Sequence, residues 1–254
     1  MNADRFSQAS YRCRLDWGRG GARRAAERGD ILVVVDTLSF SSATVTAIHY
    51  GGQIAPCSEQ DDLAVFAQRI GAETAVGRRQ VPQHGRFSLS PLTYIGIAPG
   101  TRVALRSPNG ATCSRYAHQV PFMFTAALLN AQAVADTITQ LLATTALSVT
   151  VLAAGERRQP DEDGVLRVAI EDYLGAGAIL SYLRETKSPE ALVCETAFAG
   201  SREMLSELLW ECESGHELRA MGFPEDVRHA AQLNLYHAVP VMRGDHFERF
   251  DGGS

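Results

Sequence analysis

Oxygen-bearing side chains stand just beyond three apolar runs of this chain. Asp36 directly follows the run ILVVV, and Asn109 and Glu156 stand in the turns after two later runs. Apolar, β-branched runs bounded by turns are typical of strands buried on both faces of a parallel sheet. Open α/β sheets bind their ligands beyond the carboxyl ends of such strands. We therefore expect the three side chains to meet at one sheet edge that holds an oxyanion, a metal ion or both.

The segment after Asp36 is rich in hydroxyl groups and leads into a helical pattern. Serines at the start of a helix can offer hydroxyls and backbone N–H groups to an anion. The turn SPNG at residues 107–110 is built from small residues, which lets a ligand approach the backbone closely. Taken alone, these four residues favour a plain tight turn over a ligand-binding turn. The hydroxyl-bearing residues after Asp36 are Thr37, Ser39, Ser41, Ser42 and Thr44.

An adjacent pair of acids, Glu171 and Asp172, lies in the longest helical pattern of the chain, at residues 165–185. Small residues follow the pair in the sequence GAGA, and they allow this helix to pack close to a neighbour. Adjacent carboxylates usually form a solvated face. Aimed inward, they would be ligands for a hard cation such as Mg²⁺.

The order of the predicted elements indicates an α/β fold with a helical C-terminal third. Between residues 29 and 76 the pattern reads strand, helix, strand, helix, strand, which predicts parallel pairing with right-handed crossovers. The long polar segment at residues 77–99 interrupts this rhythm and is the weakest point for an internal boundary. We expect one domain over residues 1–254.

The composition limits which binding partners and which cellular compartment we expect for this protein. A net charge of −5 gives no electrostatic reason to expect nucleic acid or an anionic membrane as a partner. Five scattered cysteines without a C-x-x-C pair favour reduced thiols in a cytoplasm over disulfides or a cysteine-based zinc site. No apolar stretch is long enough for a membrane span or a signal peptide. We expect the arginine-rich residues 1–28 to be a solvated edge element, with a lid or an arm that forms a homodimer as the functional alternatives.

Several common catalytic motifs are absent from the sequence. It contains no G-x-x-x-x-G-K-[ST], no G-x-G-x-x-G, no G-x-S-x-G and no H-E-x-x-H. Their absence argues against a P-loop nucleotide hydrolase, a standard dinucleotide site, an α/β-hydrolase nucleophile and a zincin. The seven histidines are spread out and show no metal-ligand spacing.

The chain contains, in this order, the segments VVVDTLSFSSATVTA, SPNGAT, LLNAQAVA, VLAAGE, IEDYLGAGAI, GFPEDVRHAAQLN and AVPVM. Their order resembles that of the 2-phosphosulfolactate phosphatase family, which belongs to coenzyme M biosynthesis. The resemblance extends from about residue 29 to residue 245. It implies a three-layer α/β/α fold with a largely parallel sheet. It also implies Mg²⁺-dependent hydrolysis of a phosphate monoester of a small sulfonated or carboxylated three-carbon acid.

The resemblance also implies roles for individual residues. Asp36, Glu171 and Asp172 would hold Mg²⁺. Asp36, Glu156 and Asp172 would be catalytic, one of them as general base or, for Asp36, as nucleophile. The residues that would bind the substrate are Ser39, Ser41, Ser42, Asn109, Gly110 and Gly155.

Three positions depart from the family pattern. Ser39 stands where the family has an arginine, and Ser88 and Asn234 stand near positions where it has aspartates. These changes remove a bidentate phosphate ligand and two carboxylates. The alternative to a phosphatase is therefore a small-anion-binding protein on the same scaffold. The arginines that could replace the lost positive charge are Arg78, Arg79, Arg86 and Arg106.

Overall fold

The computed structural model describes residues 8–117, 119–157 and 166–252, and these residues form a mixed α/β protein. The strands are β1 (Cys13–Trp17), β2 (Ile31–Val35), β3 (Gln53–Cys57), β4 (Glu73–Thr74), β5 (Arg102–Arg106), β6 (Met123–Ala126), β7 (Val149–Ala153), β8 (Glu156–Arg157), β9 (Leu166–Arg167), β10 (Pro240–Arg243) and β11 (His246–Arg249). Strands β8 and β9 form a separate pair. The others form one sheet in the order β1-β7-β2-β6-β10-β11-β3-β5-β4.

Helices cover both faces of the large sheet. They are α1 (Gly18–Arg28), α2 (Phe40–His49), α3 (Leu63–Ile70), α4 (Gly110–Tyr116), α5 (Ala131–Thr144), α6 (Ile170–Tyr182), α7 (Pro189–Ser201), α8 (Leu205–Glu211), α9 (Glu213–Ala220) and α10 (Pro224–Ala230). Val33 and Val35 of β2 belong to a core shared with α5 and α6. Leu32 and Val34 belong to a second core, shared with α1 and α2. The predicted three-layer architecture is thus confirmed.

The sheet consists of two parallel halves joined by an antiparallel hairpin. Strands β1, β7, β2 and β6 pair in parallel, and so do β3, β5 and β4. The hairpin β10–β11 pairs antiparallel with β6 on one side and with β3 on the other. Three successive reversals between β6 and β3 make the two halves run in opposite directions. The prediction of a single parallel unit over residues 29–76 is therefore wrong, because β2 and β3 belong to different halves.

The three side chains that were expected to meet at one edge of the sheet reach that edge in two different ways. Asp36 follows β2 and Glu156 follows β7, and these neighbouring parallel strands end at the same edge. Asn109 follows β5 in the oppositely directed half. It reaches this edge because α4, which starts directly after it, packs against α1 and β2.

Two strands of the large sheet, and the short pair β8–β9, are missing from the sequence-based prediction. Strand β1 lies in the arginine-rich N-terminal segment, and β11 lies in the polar tail after residue 243. The predicted helix over residues 165–185 is shorter, because residues 166–167 pair with β8 before α6 begins. Residues 1–7 of the predicted N-terminal segment and residue 165 of the predicted helix lie outside the described ranges. Within those ranges, no helix is long and apolar enough to cross a bilayer.

Candidate active site

Asp36 is buried at the carboxyl end of β2, with 5% of its surface exposed. Its Oδ2 accepts hydrogen bonds from the Gly110 backbone N–H at 2.8 Å and from the Ser107 hydroxyl at 3.3 Å. Its Oδ1 accepts from the Phe40 N–H at 3.2 Å. Gly110 and Phe40 are the first residues of α4 and α2. The carboxylate is therefore held between two helix starts, where N–H groups favour negative charge.

The same position perturbs the titration of Asp36. Burial raises the pKa of its carboxyl to about 6, and the charge of Glu156 acts in the same direction. The N–H groups of Gly110 and Phe40 oppose this rise. The carboxylate is thus costly to ionise in the folded protein and would gain from a cation nearby.

We expect this shift to be measurable as pH-dependent stability. The carboxyl of an unfolded aspartate titrates at about 3.9, so the native protein holds the Asp36 proton more tightly. The free energy of unfolding then falls as the pH rises from about 4 to about 6. The variant Asp36→Asn has no such proton. Relative to wild type, its free energy of unfolding should rise by up to about 3 kcal/mol between about pH 4 and pH 7.

Urea unfolding in EDTA at both pH values measures this difference. Gly200→Ala is a suitable control, because it adds no titratable group and the new methyl meets nothing within 4 Å. A difference between Asp36→Asn and wild type that stays constant with pH would contradict the raised pKa.

Asn109 and Glu156 lie beside Asp36. The Asn109 side-chain Nδ2 donates to Glu156 Oε1 at 2.8 Å. Both residues and Asp36 line one cavity of about 120 Å³. The structure therefore brings together the three side chains that follow strand ends.

Arg78 also lines this cavity. Its Nη2 donates to the Ser39 hydroxyl at 2.5 Å and to the Leu89 carbonyl at 3.2 Å. Its Nε donates to Asp226 Oδ2 at 2.8 Å. Asp226 is 2% exposed and also accepts from the Ser90 hydroxyl at 2.5 Å. The guanidinium is thus fixed in place at the cavity by a buried carboxylate.

Asp172 lies behind the cavity and does not line it. Its Oδ1 accepts from the Thr37 N–H at 2.7 Å, and its Oδ2 accepts from the Gly155 N–H at 2.9 Å. Burial raises the pKa of Asp172 well above its ordinary value, and the charges of Asp36 and Glu171 add to this rise. Thr37 follows Asp36 and Gly155 precedes Glu156. Asp172 therefore positions the two turns that carry the cavity acids.

Glu171 points away from that arrangement. Its Oε2 is buried without a hydrogen-bond partner. Burial, and next the charge of Glu171, raise the pKa of the Cys212 thiol to about 12, which places Glu171 beside α9. Among the described residues, no three histidine, cysteine, aspartate or glutamate side chains are grouped as metal ligands. The set expected for Mg²⁺, Asp36 with Glu171 and Asp172, is not assembled here.

Ser41 and Ser42 are fully buried and support the turn after β2. The Ser41 hydroxyl accepts from the Asp36 N–H at 2.8 Å, and the Ser42 hydroxyl donates to the Thr37 carbonyl at 2.7 Å. Their burial keeps them from a substrate, contrary to the expected role. Of the six expected substrate-binding residues, Ser39 and Asn109 line the cavity, while Gly110 and Gly155 hold Asp36 and Asp172 through their N–H groups.

A comparison with known proteins identifies the family. Residues 21–245 match the family model described as 2-phosphosulpholactate phosphatase. The chain belongs to the 2-phosphosulfolactate phosphatase family. The predicted resemblance is thereby confirmed, and so is the expectation that the chain groups with phosphoric monoester hydrolases.

Two relatives named "Probable 2-phosphosulfolactate phosphatase" illustrate the similarity. The protein of Carboxydothermus hydrogenoformans is 31% identical over 217 residues, which cover 82% of this chain and 84% of the relative. The protein of Pseudothermotoga lettingae is 29% identical over 222 residues, which cover 85% of this chain and 91% of the relative.

Within this family, the departure at Ser39 has a structural counterpart. The guanidinium of Arg78 contacts the Ser39 hydroxyl, so positive charge is present beside the position where the family pattern has an arginine. The other arginines considered have different partners. Arg86 pairs with the exposed Glu73, and Arg79 donates to the Met221 carbonyl at 3.4 Å.

The other two departures lie away from the cavity. Ser88 is fully buried, and its hydroxyl accepts from the Ser90 N–H at 3.1 Å. Asn234 accepts from the Gln132 N–H at 2.9 Å in the first turn of α5, and donates to the Tyr182 hydroxyl at 2.9 Å. Both side chains hold local structure, so neither change removes a group from the cavity wall.

Asp226 is one residue of this site that the sequence analysis missed. It stands in the first turn of α10 after Pro224 and Glu225. Acids are common there because they complement the helix dipole, and this ordinary pattern hides its role. Its spacing from Arg78 along the chain gives no local signal of the ion pair.

Gly110 should tolerate no larger side chain. A Cβ at this position would lie 2.7 Å from Asp36 Oδ2 and 2.6 Å from the Phe40 ring, which is fully buried. We expect Gly110→Ala to lower the free energy of unfolding by about 2 kcal/mol through overpacking. Displacement of the Asp36 carboxylate should lower kcat by about tenfold or more.

Chemical denaturation and initial-rate assays measure both effects. The matched control is Gly200→Ala, where the methyl enters open space on a helix and alanine is the better helix former. Gly110→Ala with the stability and kcat of wild type would show that Asp36 does not need its present position.

Proposed function

We propose that this chain is a Mg²⁺-dependent phosphatase that hydrolyses a phosphate monoester of a small acidic molecule resembling 2-phosphosulfolactate. One observation carries the proposal. In a member of this family, the buried carboxylate of Asp36 and the guanidinium of Arg78 line the same cavity. An acid that favours a cation and an arginine that favours phosphate oxygens are the two groups such a reaction needs.

The donor groups of the cavity fit a magnesium ion that has few protein ligands and is otherwise bound by waters and substrate oxygens. Asp36 and Glu156 line it, Glu217 stands at its exposed rim, and Arg78 is the basic residue among the described lining residues. A phosphate dianion would be repelled by these carboxylates without an added cation. Mg²⁺ is commonly bound by one or two carboxylates together with waters and substrate phosphate oxygens. Asp36 and Glu156 would therefore suffice to hold it.

Bound Mg²⁺ would offset charge on the phosphoryl oxygens and orient the attacking water. The other steps belong to the chain. The Nε and Nη2 donors of Arg78 are held by Asp226, Ser39 and Leu89, so its Nη1 N–H groups donate to the phosphoryl oxygens. The Ser39 hydroxyl donates to one of these oxygens. Glu156 accepts a proton as the water oxygen bonds to phosphorus. The ester P–O bond breaks, and the leaving alkoxide takes a proton from solvent, which releases an alcohol and inorganic phosphate.

Release of inorganic phosphate from 2-phosphosulfolactate tests the proposal. We expect turnover with Mg²⁺, a loss of at least about 100-fold in EDTA, and recovery when Mg²⁺ is added again. The variant Asp136→Asn, changed at an exposed acid of α5, should match wild type. A folded protein that releases no phosphate from this ester or from other phosphorylated hydroxy acids would refute the proposal. Thermal stabilisation by the same esters would then support the anion-binding alternative.

A further inference from the structure

The turn at residues 107–110 contacts both Asp36 and Glu156. The Ser107 hydroxyl and the Gly110 N–H donate to the Asp36 carboxylate. The Asn109 side-chain Nδ2 donates to Glu156 Oε1 at 2.8 Å. The two acids follow β2 and β7, neighbouring strands of one half of the sheet, whereas the turn follows β5 of the other half. Both carboxylates are therefore held from outside the half of the sheet that carries them.

An asparagine at this place would ordinarily cap a helix. Asn109 is the N-cap residue of α4, where asparagine is favoured because its side-chain oxygen can accept from a backbone N–H of the first turn. The Asn109 side chain makes no such hydrogen bond. Its contact with Glu156 is thus not a by-product of helix capping.

The chemistry of the two groups determines which end of the Asn109 amide faces Glu156. An ionised carboxylate only accepts hydrogen bonds, and the asparagine side chain donates only through its nitrogen. The backbone of Asn109 is held on both sides. Its N–H donates to Ser107 Oγ at 3.2 Å, and its carbonyl accepts from the Cys113 N–H at 2.8 Å. The donor therefore extends from a fixed backbone and holds Glu156 Oε1 in one place.

A neutral donor suits a carboxylate that must also bind a cation. Asp36 and Glu156 line the same cavity, and their like charges repel each other. A lysine or arginine at position 109 would hold Glu156 but would compete with a divalent cation for its charge. The amide orients the carboxylate without neutralising it. Carboxylates that bind metal ions are commonly held by hydrogen bonds from neighbouring groups.

We propose that Asn109 is a positioning residue that holds Glu156 where this carboxylate and Asp36 together bind the divalent cation. Asn109 acts through Glu156 and not on the phosphoryl group, which differs from the substrate-binding role expected from the sequence. The proposal rests on the function proposed above and adds one residue to its cation site. The affinity for Mg²⁺ is therefore the quantity that depends most directly on Asn109.

Titration calorimetry with Mg²⁺ in the absence of ester tests this role. Asn109→Ala should bind Mg²⁺ about tenfold more weakly than wild type, or weaker still, as is usual when a residue that holds a metal ligand is removed. Its urea midpoint in EDTA should stay close to that of wild type, because no capping bond is lost. The control Gln140→Ala removes an amide from the exposed surface of α5 and should change neither quantity. Wild-type Mg²⁺ affinity in Asn109→Ala would overturn the proposal.

A double variant shows whether Asn109 acts through Glu156. Glu156→Gln should itself weaken Mg²⁺ binding. Adding Asn109→Ala to it should weaken the binding no further, because residues that act as one unit do not have additive effects. A further loss of about tenfold in the double variant would show two independent contributions and would overturn the proposal.

Hydrolysis of 2-phosphosulfolactate at saturating Mg²⁺ separates positioning from substrate binding. Asn109→Ala should keep the wild-type KM within about twofold, because no contact with the substrate is lost. Its kcat should fall by about tenfold, because Glu156 is no longer held where it accepts the proton of the attacking water. A rise in KM of about tenfold with unchanged Mg²⁺ affinity would instead show that Asn109 binds the phosphoryl group, and would overturn the proposal.

These measurements distinguish failure of the positioning role from failure of the phosphatase function. If no ester is hydrolysed but Asn109→Ala and the double variant show the expected Mg²⁺ affinities, the phosphatase proposal fails and the role of Asn109 stands. If the esters are hydrolysed and Asn109→Ala binds Mg²⁺ as wild type does, the role of Asn109 fails and the phosphatase proposal stands.

Discussion

The Asp36→Asn variant should lose at least about 1,000-fold in kcat for ester hydrolysis, because a bound cation stabilises the transition state by several kcal/mol. The amide keeps the shape of the carboxylate and can still accept from the Gly110 N–H. It carries no charge, so it neither binds a divalent cation well nor acts as a nucleophile. The loss should therefore appear in kcat without loss of the fold.

Steady-state kinetics with Mg²⁺ titration measures this change, and far-UV circular dichroism checks the fold. Titration calorimetry should also show weaker Mg²⁺ binding than in wild type, a readout that does not depend on turnover. The control Asp136→Asn removes a carboxylate from exposed helix surface and should change neither quantity. An Asp36→Asn protein with a tenth or more of the wild-type kcat would exclude Asp36 from the reaction.

The sequence predicts two of the three acids that line the cavity for a sound physical reason. Asp36 and Glu156 follow neighbouring parallel strands, and the apolar runs before them are long enough to identify those strands. Asn109 also meets them, but the reason given for it is wrong, since β5 runs opposite to β2. Its position depends on the packing of α4 against α1 and β2. Such packing between distant segments leaves no periodicity in the sequence.

The acid pair after Ala169 shows a different limit of sequence reasoning. The presence of a helix here was predicted, although it begins at Ile170 and not at residue 165. The close packing of its small residues was predicted too, and a Cβ on Gly175 would indeed lie 2.7 Å from the Thr37 hydroxyl oxygen. The direction of the Asp172 side chain could not be predicted from the sequence. Two backbone N–H groups from other segments hold both of its oxygens, so a residue that resembles a metal ligand in sequence supports the turns instead.

Arg78 and Ser39 could not be paired from the sequence. The guanidinium comes from the long polar segment at residues 77–99, whose path depends on contacts with α10 and with the turn after β2. The ion pair with Asp226 and the bond to Ser39 fix that path. The family pattern indicates that charge is missing at Ser39, while the tertiary structure shows where an arginine stands.

Replacement of Arg78 should therefore affect both stability and activity. We expect Arg78→Gln to lower the free energy of unfolding by about 3 kcal/mol, because Asp226 becomes a buried carboxylate without its cation. The same variant should lower kcat/KM by about 100-fold through loss of the guanidinium charge and of its N–H donors to the phosphoryl oxygens. Arg78→Lys keeps the charge without the planar guanidinium. Its free energy of unfolding and its kcat/KM should lie between those of wild type and those of Arg78→Gln.

A double variant separates the two effects. Arg78→Gln combined with Asp226→Asn removes the unpaired charge, and the amide oxygen can still accept from the Ser90 hydroxyl. Its free energy of unfolding, measured in urea, should recover most of the loss. Its kcat/KM should stay about 100-fold low, because the phosphoryl group still lacks its guanidinium. If activity returned together with stability, Arg78 would serve the fold alone, and positive charge for the substrate would have to come from another residue.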